Sequence, residues 1–185
     1  MLKKRPIAIL IAVAVISLST IFSAHRTLGA ESQKVIDSFY SGVYDEEWNT
    51  NRKSISSQLT KREEASNALL GVGSSYKEAA DATLELRESR NAFLQSKGLH
   101  ETFKNNEKLT KSFDRLISQI NSLDLSSHEE DIVEDSITIF RGAQNVINDA
   151  GYNELVREFE RNTLNVFPAN VLKTAAFVKT PELFE

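Results

Sequence analysis

Eighteen consecutive residues, 7–24, carry no charged side chain, and they follow closely on Lys3, Lys4 and Arg5. As a helix rising about 1.5 Å per residue, the run is roughly 27 Å long, near the lower limit for crossing a bilayer. It therefore predicts a retained transmembrane signal anchor with the lipid bilayer as its partner. Basic residues stand ahead of the run and only Arg26 stands close behind it. That asymmetry places the N-terminus in the cytoplasm and the rest of the chain on the extracytoplasmic side of the cell (inner) membrane. The alternative is a cleaved signal and a secreted or periplasmic product. Ala24 and Ala30 are candidate cleavage ends, but Phe22 and Leu28 stand where a small residue is preferred. The expected division is 1–30 for the basic N-terminus and anchor, and 31–185 for a folded domain with a tail at 166–185.

Residues 1–30 hold four basic side chains and no acidic one, so the remainder has 18 basic against 26 acidic, a formal charge of −8. Such a domain repels phosphate backbones, which argues against nucleic acid as a partner. The absence of cysteine removes disulfides and thiolate metal sites. Seven glycines and three prolines in 185 residues leave long windows free for helix.

The pattern predicts an all-α fold of four helices: A over 33–70, B over 76–96, C over 101–123 and D over 129–166. Gly71 and Gly73 close A, and Ser75 with Glu78 offers B a capping box. Gly98 stands in a C-cap place after B. Ser127 with Glu130 offers a box to D, and Pro168 ends D. Helix C carries the cleanest stripe, Leu109, Phe113, Leu116, Ile120 and Leu123. In D, one face holds Val133, Ile137, Phe140, Ala143 and Ile147, and the next holds Tyr152, Leu155, Val156 and Phe159, turned by roughly 120°. Helix A behaves alike: Ile36, Phe39, Tyr40 and Val43 form one face, Trp48, Ile55, Leu59 and Leu69 another. Two long helices of about 38 residues and two short ones of about 22 predict an antiparallel four-helix bundle extended by a two-helix stalk. The apolar tail residues Val166, Phe167, Val171, Leu172, Phe177 and Phe184 are expected to cover that stalk.

No catalytic, cofactor-binding or metal-binding residue is expected. Lys97 stands three places before His100, and Leu125 three places before His128, so neither completes the Glu-x-x-His pair of a di-iron bundle. Both histidines read as solvated, and His25 falls in the anchor flank. Zinc, nucleophile-elbow and Walker spacings are absent, "GVGSS" at Gly71 included. The Glu129–Asp131 stretch reads as a dipole-stabilised first turn. Trp48 reads as a packing anchor, and Lys61-Arg62-Glu63-Glu64 as a mixed solvated face.

"EEW" at Glu46, followed by "QLTKREEASNALL" from Gln58, resembles the tryptophan, Gln-Leu-x-Arg-Arg stretch and Asn-Leu-Val helix of the LemA family. "YNELVREFERNTLNVFPANVL" from Tyr152 and the closing "PELFE" are similar to the family's Tyr-Asn-x-x-Val-Arg-x-Tyr, Phe-Pro-x-Asn and Pro-x-x-Phe-Glu elements. Ser89-Arg90 echoes its Ala-Arg. Trp48 and Gln58 stand further apart here than in the family pattern, by about one helical turn, and 98–127 matches it poorly. The resemblance implies a bromodomain-like four-helix bundle on a single-pass anchor, and it supplies no catalytic residues.

The expected function is therefore that of a non-enzymatic, single-pass envelope protein whose bundle serves unknown protein partners as an interaction or scaffold module. The alternative is an extracytoplasmic ligand-sensing or binding bundle, also without catalysis.

Overall fold

Breaks in helical phase, at two glycines, organise the chain. The computed structural model describes residues 4–47 and 49–185, so Trp48 and its expected packing role lie outside the described residues, as does Lys3. Helix α1 runs without interruption over Lys4–Ser41. Gly42 then adopts φ +91°, and a Cβ there would fall 1.8 Å from the Arg52 carbonyl oxygen. Only glycine fits this left-handed, crowded position. A short antiparallel ladder follows, β1 (Tyr44–Asp45) with β2 (Thr50–Asn51).

Ser54 caps α2 (Ile55–Gly73) by accepting the Ser57 N–H. A 3₁₀ turn at Lys77–Ala79 leads into α3 (Ala80–Leu94), then come α4 (Leu99–Ile120) and α5 (Ser127–Asn148). Gly151, at φ +73°, separates α5 from α6 (Tyr152–Phe159), which passes through a π-helical Glu160–Leu164 segment. The last helix, α7, is Ala169–Ala175. Among the described residues the regular structure is helical apart from this ladder of two two-residue strands.

Two compact units result, one of α1 through Asp37 with Glu154–Pro181, the other of Ser38–Asn153 with Glu182–Glu185. In the second, α2 lies along α5 and α3 along α4, and α2 also meets α3 and α4. Its core is built from Leu69 of α2, Leu86 of α3, Leu109, Phe113, Leu116 and Ile120 of α4, and Val133 and Phe140 of α5. The stripes expected on C and on the first part of D are therefore the buried faces. Burial of each such Leu, Ile or Phe is worth about 1.5–3 kcal/mol.

In the first unit, α1 is long and apolar enough to cross a membrane. Its most apolar 18-residue window has mean hydropathy 2.5, with none of that window buried. Further along α1, His25 Nδ1 lies 2.6 Å from the Ala176 carbonyl oxygen, and Ser32 Oγ donates to the carbonyl of Lys179.

Several expectations need correction. Helix A is not continuous over 33–70, and D is not continuous over 129–166. Each shift of the apolar face by a third of a turn marks a break at a positive-φ glycine, where the ladder or a tight turn resets the phase. The box for α5 is Ser126 with Glu129, one residue earlier than expected, because Ser126 has the extended backbone a cap requires. Ser75 does not cap α3, which enters through the 3₁₀ turn. Gly98 (φ +82°) is the N-cap of α4, while α3 already ends at Leu94 with Gln95 as its C-cap. Of the six tail residues expected as cover, Phe184 alone is buried. Leu172 is half-buried, and Val166, Phe167, Val171 and Phe177 face outward.

Candidate functional site: a groove that holds an extended peptide

Where α1, α4 and α6 present Phe39, Phe103 and Tyr152, the second unit holds an extended segment, Glu182–Glu185, along its surface. The sequence builds this locally. Gly151 ends α5 so that Tyr152 and Asn153 open α6, and the positive φ of Gly98 starts α4 at Leu99, which leaves the first N–H groups of α4 without helical partners. One of these, the Leu99 N–H, donates to Glu182 Oε2 at 3.2 Å, a carboxylate on a helix N-terminus as the macrodipole favours.

The grip is on the backbone. Tyr152 Oη donates to the Glu182 carbonyl at 2.9 Å. Asn153 Nδ2 donates to the Phe184 carbonyl at 3.0 Å, while the Phe184 N–H donates to Asn153 Oδ1 at 2.8 Å. His100 Nδ1 is 2.6 Å from the Glu185 carbonyl oxygen. One side chain is read specifically: the Phe184 ring lies 5.5 Å from Phe39 and 5.4 Å from Phe103, edge-on to the latter. Phe39 also meets Tyr152 at 5.5 Å. Such ring pairs add about 0.5–1.5 kcal/mol each to area burial. Burial, with the nearby Glu182 charge and Tyr40, pushes the Tyr152 phenol up to about 12, so it remains a donor throughout the neutral range.

Nearby, a single side chain fastens the two helix breaks. Arg52 pairs with Asp45 at 2.8 Å on the hairpin and donates from Nη1 to the Asp149 carbonyl at 3.1 Å, just before Gly151. The groove residues Phe39 and Tyr152 flank these breaks in sequence.

A second polar constellation lies inside the unit. Ile55, Leu59, Arg62, Ser66 and Leu69 share one buried face of α2. Arg62, expected in a solvated face, is instead fully buried, because it falls on that stripe. Its guanidinium donates to Gln144 Oε1 and Thr110 Oγ1 and sits 3.9 Å from the Phe140 ring centre, which stacks on Phe113. Desolvation lowers its pKa to about 10, opposed by the Asp114 charge. Among the described residues, Arg62 Nε and Asn106 Oδ1 find no partner. Glu63 of the same tetrad pairs with Arg90, while Lys61 and Glu64 are exposed as expected.

The histidines are exposed or flanking as expected, but His25 and His100 each meet a carbonyl of the C-terminal segment. Among the described residues no group of three or more His, Cys, Asp or Glu side chains is placed to hold a metal ion. The sequence could not reveal the groove, whose walls come from positions 39, 103 and 152 and whose occupant comes from 182–185. The Pro-Glu-Leu-Phe-Glu ending was the signal at hand. Comparison of the chain with protein-family models, with curated proteins and with solved structures gives no match.

Proposed function

We propose that this is a non-enzymatic, single-pass membrane protein of the cell envelope, LemA-like in character. In this reading α1 is its anchor, and its helical bundle, built on four packed helices, is a protein-interaction or scaffold module outside the cytoplasm. The observation that carries the reading is the groove around Phe184. It offers backbone donors and acceptors from fixed side chains and one aromatic pocket, the two elements by which proteins read extended peptides. The unburied apolar length of α1 supports the anchor, and the Lys3, Lys4 and Arg5 cluster supports the orientation.

The test is photo-crosslinking in intact cells, with a benzophenone side chain at Phe103 in the full chain, with and without Asn153→Ala. The expected result is adducts of defined mass with other envelope proteins, increased when Asn153→Ala loosens the resident segment. Adducts confined to the chain's own 182–185 in both forms would overturn the interaction role. Because the chain has no cysteine, orientation can be read separately. Lys111→Cys should react with an impermeant maleimide from outside an intact inner membrane.

A further inference from the structure

We infer that residues 166–177 are a second membrane-contacting element, lying in the lipid interface beside α1. The inference rests on the reading of α1 as a span. Val166, Phe167, Val171 and Phe177 are 49%, 79%, 63% and 86% exposed. That is a large apolar surface for water, and patches of this kind mark an interaction face. The segment is nonetheless held in place, since Ala176 and Lys179 are tied by their carbonyls to His25 and Ser32 of α1.

Depth along α1 identifies the occupant. A groove of about 550 Å³ runs between Ser19, Ser23 and Thr27 of α1 and Pro168, Ala169 and Leu172. Ser19 stands five residues inside the Ala24 end of the uncharged run, about 7.5 Å of helical rise. A span over 7–24 therefore carries Pro168 and Leu172 to the depth of the outer leaflet's edge. Interfacial elements bury their apolar face about 5–10 Å into that boundary, which fits the same figure.

Charge points the same way. From Asn162 through Pro181 the charged side chains are Lys173 and Lys179 alone, in a domain otherwise strongly acidic. On α1, Arg26 lies in the same surface recess as Phe177 and Lys179. Long cationic stems beside exposed rings suit phospholipid headgroups, where Lys and Arg reach up to phosphate while apolar groups sit below. A second protein copy would bury the rings equally well, but nothing would then match them to the depth of the α1 run.

The test uses the full chain in vesicles of phosphatidylcholine and phosphatidylglycerol, with single cysteines carrying an environment-sensitive nitrobenzoxadiazole label. Phe167→Cys and Phe177→Cys probe the segment, Ile11→Cys the span, and Lys111→Cys the second unit. Doxyl groups on the lipid chains, near the headgroup or near the chain end, report depth. The expected result is quenching at Phe167 and Phe177 mainly by the shallow doxyl group, at Ile11 mainly by the deep one, and none at Lys111. Quenching at Ile11 without quenching at 167 and 177 overturns the inference and leaves the anchor intact. Loss of quenching at Ile11 overturns the anchor and the inference together. Blue-shifted emission at 167 and 177 that doxyl lipid does not quench means protein covers the face, and also overturns it.

Discussion

Asn153 grips Phe184 by both main-chain groups of that one residue, donating to its carbonyl at 3.0 Å and accepting its N–H at 2.8 Å. An amide side chain can do this only when the facing backbone is extended, so the pair fixes both conformation and register of the 182–185 segment.

Asn153→Ala removes two hydrogen bonds, each worth about 0.5–1.5 kcal/mol net. Amide exchange at Phe184 and Leu99 should accelerate, with no change at Leu116 or Phe140. Phe184→Ala keeps both main-chain partners of Asn153 but empties the pocket between Phe39 and Phe103, and it should release the segment more completely, because burying the ring is worth about 1.5–3 kcal/mol. Equal exchange at Phe184 in wild type and Asn153→Ala would show that the clamp holds nothing.

Tyr152 gives the groove a pH signature. Its folded pKa is raised to about 12 from an ordinary 10. The protonated phenol is thus favoured by folding, and its stabilisation is complete below pH 10 and lost as pH rises towards 12. Arg62, lowered to about 10, has the opposite sign: its charged form is disfavoured by folding, and the penalty eases above pH 10. The difference between wild type and Tyr152→Phe isolates the phenol. Denaturation midpoints should show the variant less stable by about 0.5–1.5 kcal/mol at neutral pH, with the gap closing between pH 10 and 12.

Arg62 is buried among neutral partners. Arg62→Ala should cost about 3 kcal/mol or more, combining a cavity with a lost donor to Gln144. Arg62→Met fills the space without burying charge, and should stay within about 1.5 kcal/mol of wild type. Arg62→Lys should fall below Met, since a point charge cannot reach Gln144 and Thr110 while lying on Phe140. Urea unfolding of the three variants checks the order, and Ala above Met would refute it.

Two glycines should respond in opposite ways. Gly42→Ala places a Cβ against the Arg52 carbonyl at positive φ, costing at least about 1–3 kcal/mol in backbone strain. Gly71 is exposed inside α2 with nothing within 4 Å of its would-be Cβ, so Gly71→Ala should gain up to about 1 kcal/mol. Thermal unfolding of the two variants decides, and a neutral Gly42→Ala would mean the joint yields.

Where packing is local and periodic, the residues announced it. Leu109, Phe113, Leu116 and Ile120 repeat at helical spacing and are buried together. The same periodicity carried Arg62 onto the stripe of Ile55, Leu59 and Leu69, but its charge argued for solvent, and only Gln144, Thr110 and Phe140 from other helices make the burial tolerable. The breaks at Gly42 and Gly151 were visible as rotated faces. That a rotation meant interruption depended on contacts such as Arg52 with Asp149, 97 positions apart. The groove was illegible for the same reason, since no window of sequence holds Phe39, Phe103, Tyr152 and Phe184 together.

The hairpin between α1 and α2 bears on how such a chain tolerates changes in length. In one continuous helix, each inserted residue would turn everything beyond it by about 100°, swinging Arg62 off the Phe140 ring or Phe39 off Phe184. With Gly42 ending one helix and Ser54 starting the next, an insertion at 46–49, between the two ladder strands, leaves the phase of both helices and the ties of Arg52 to Asp45 and Asp149 in place. On the proposed LemA-like reading, the wider Trp48-to-Gln58 spacing begins in that turn. The turn acts as a slip joint, able to take up length while Phe39 and Arg62 keep their faces.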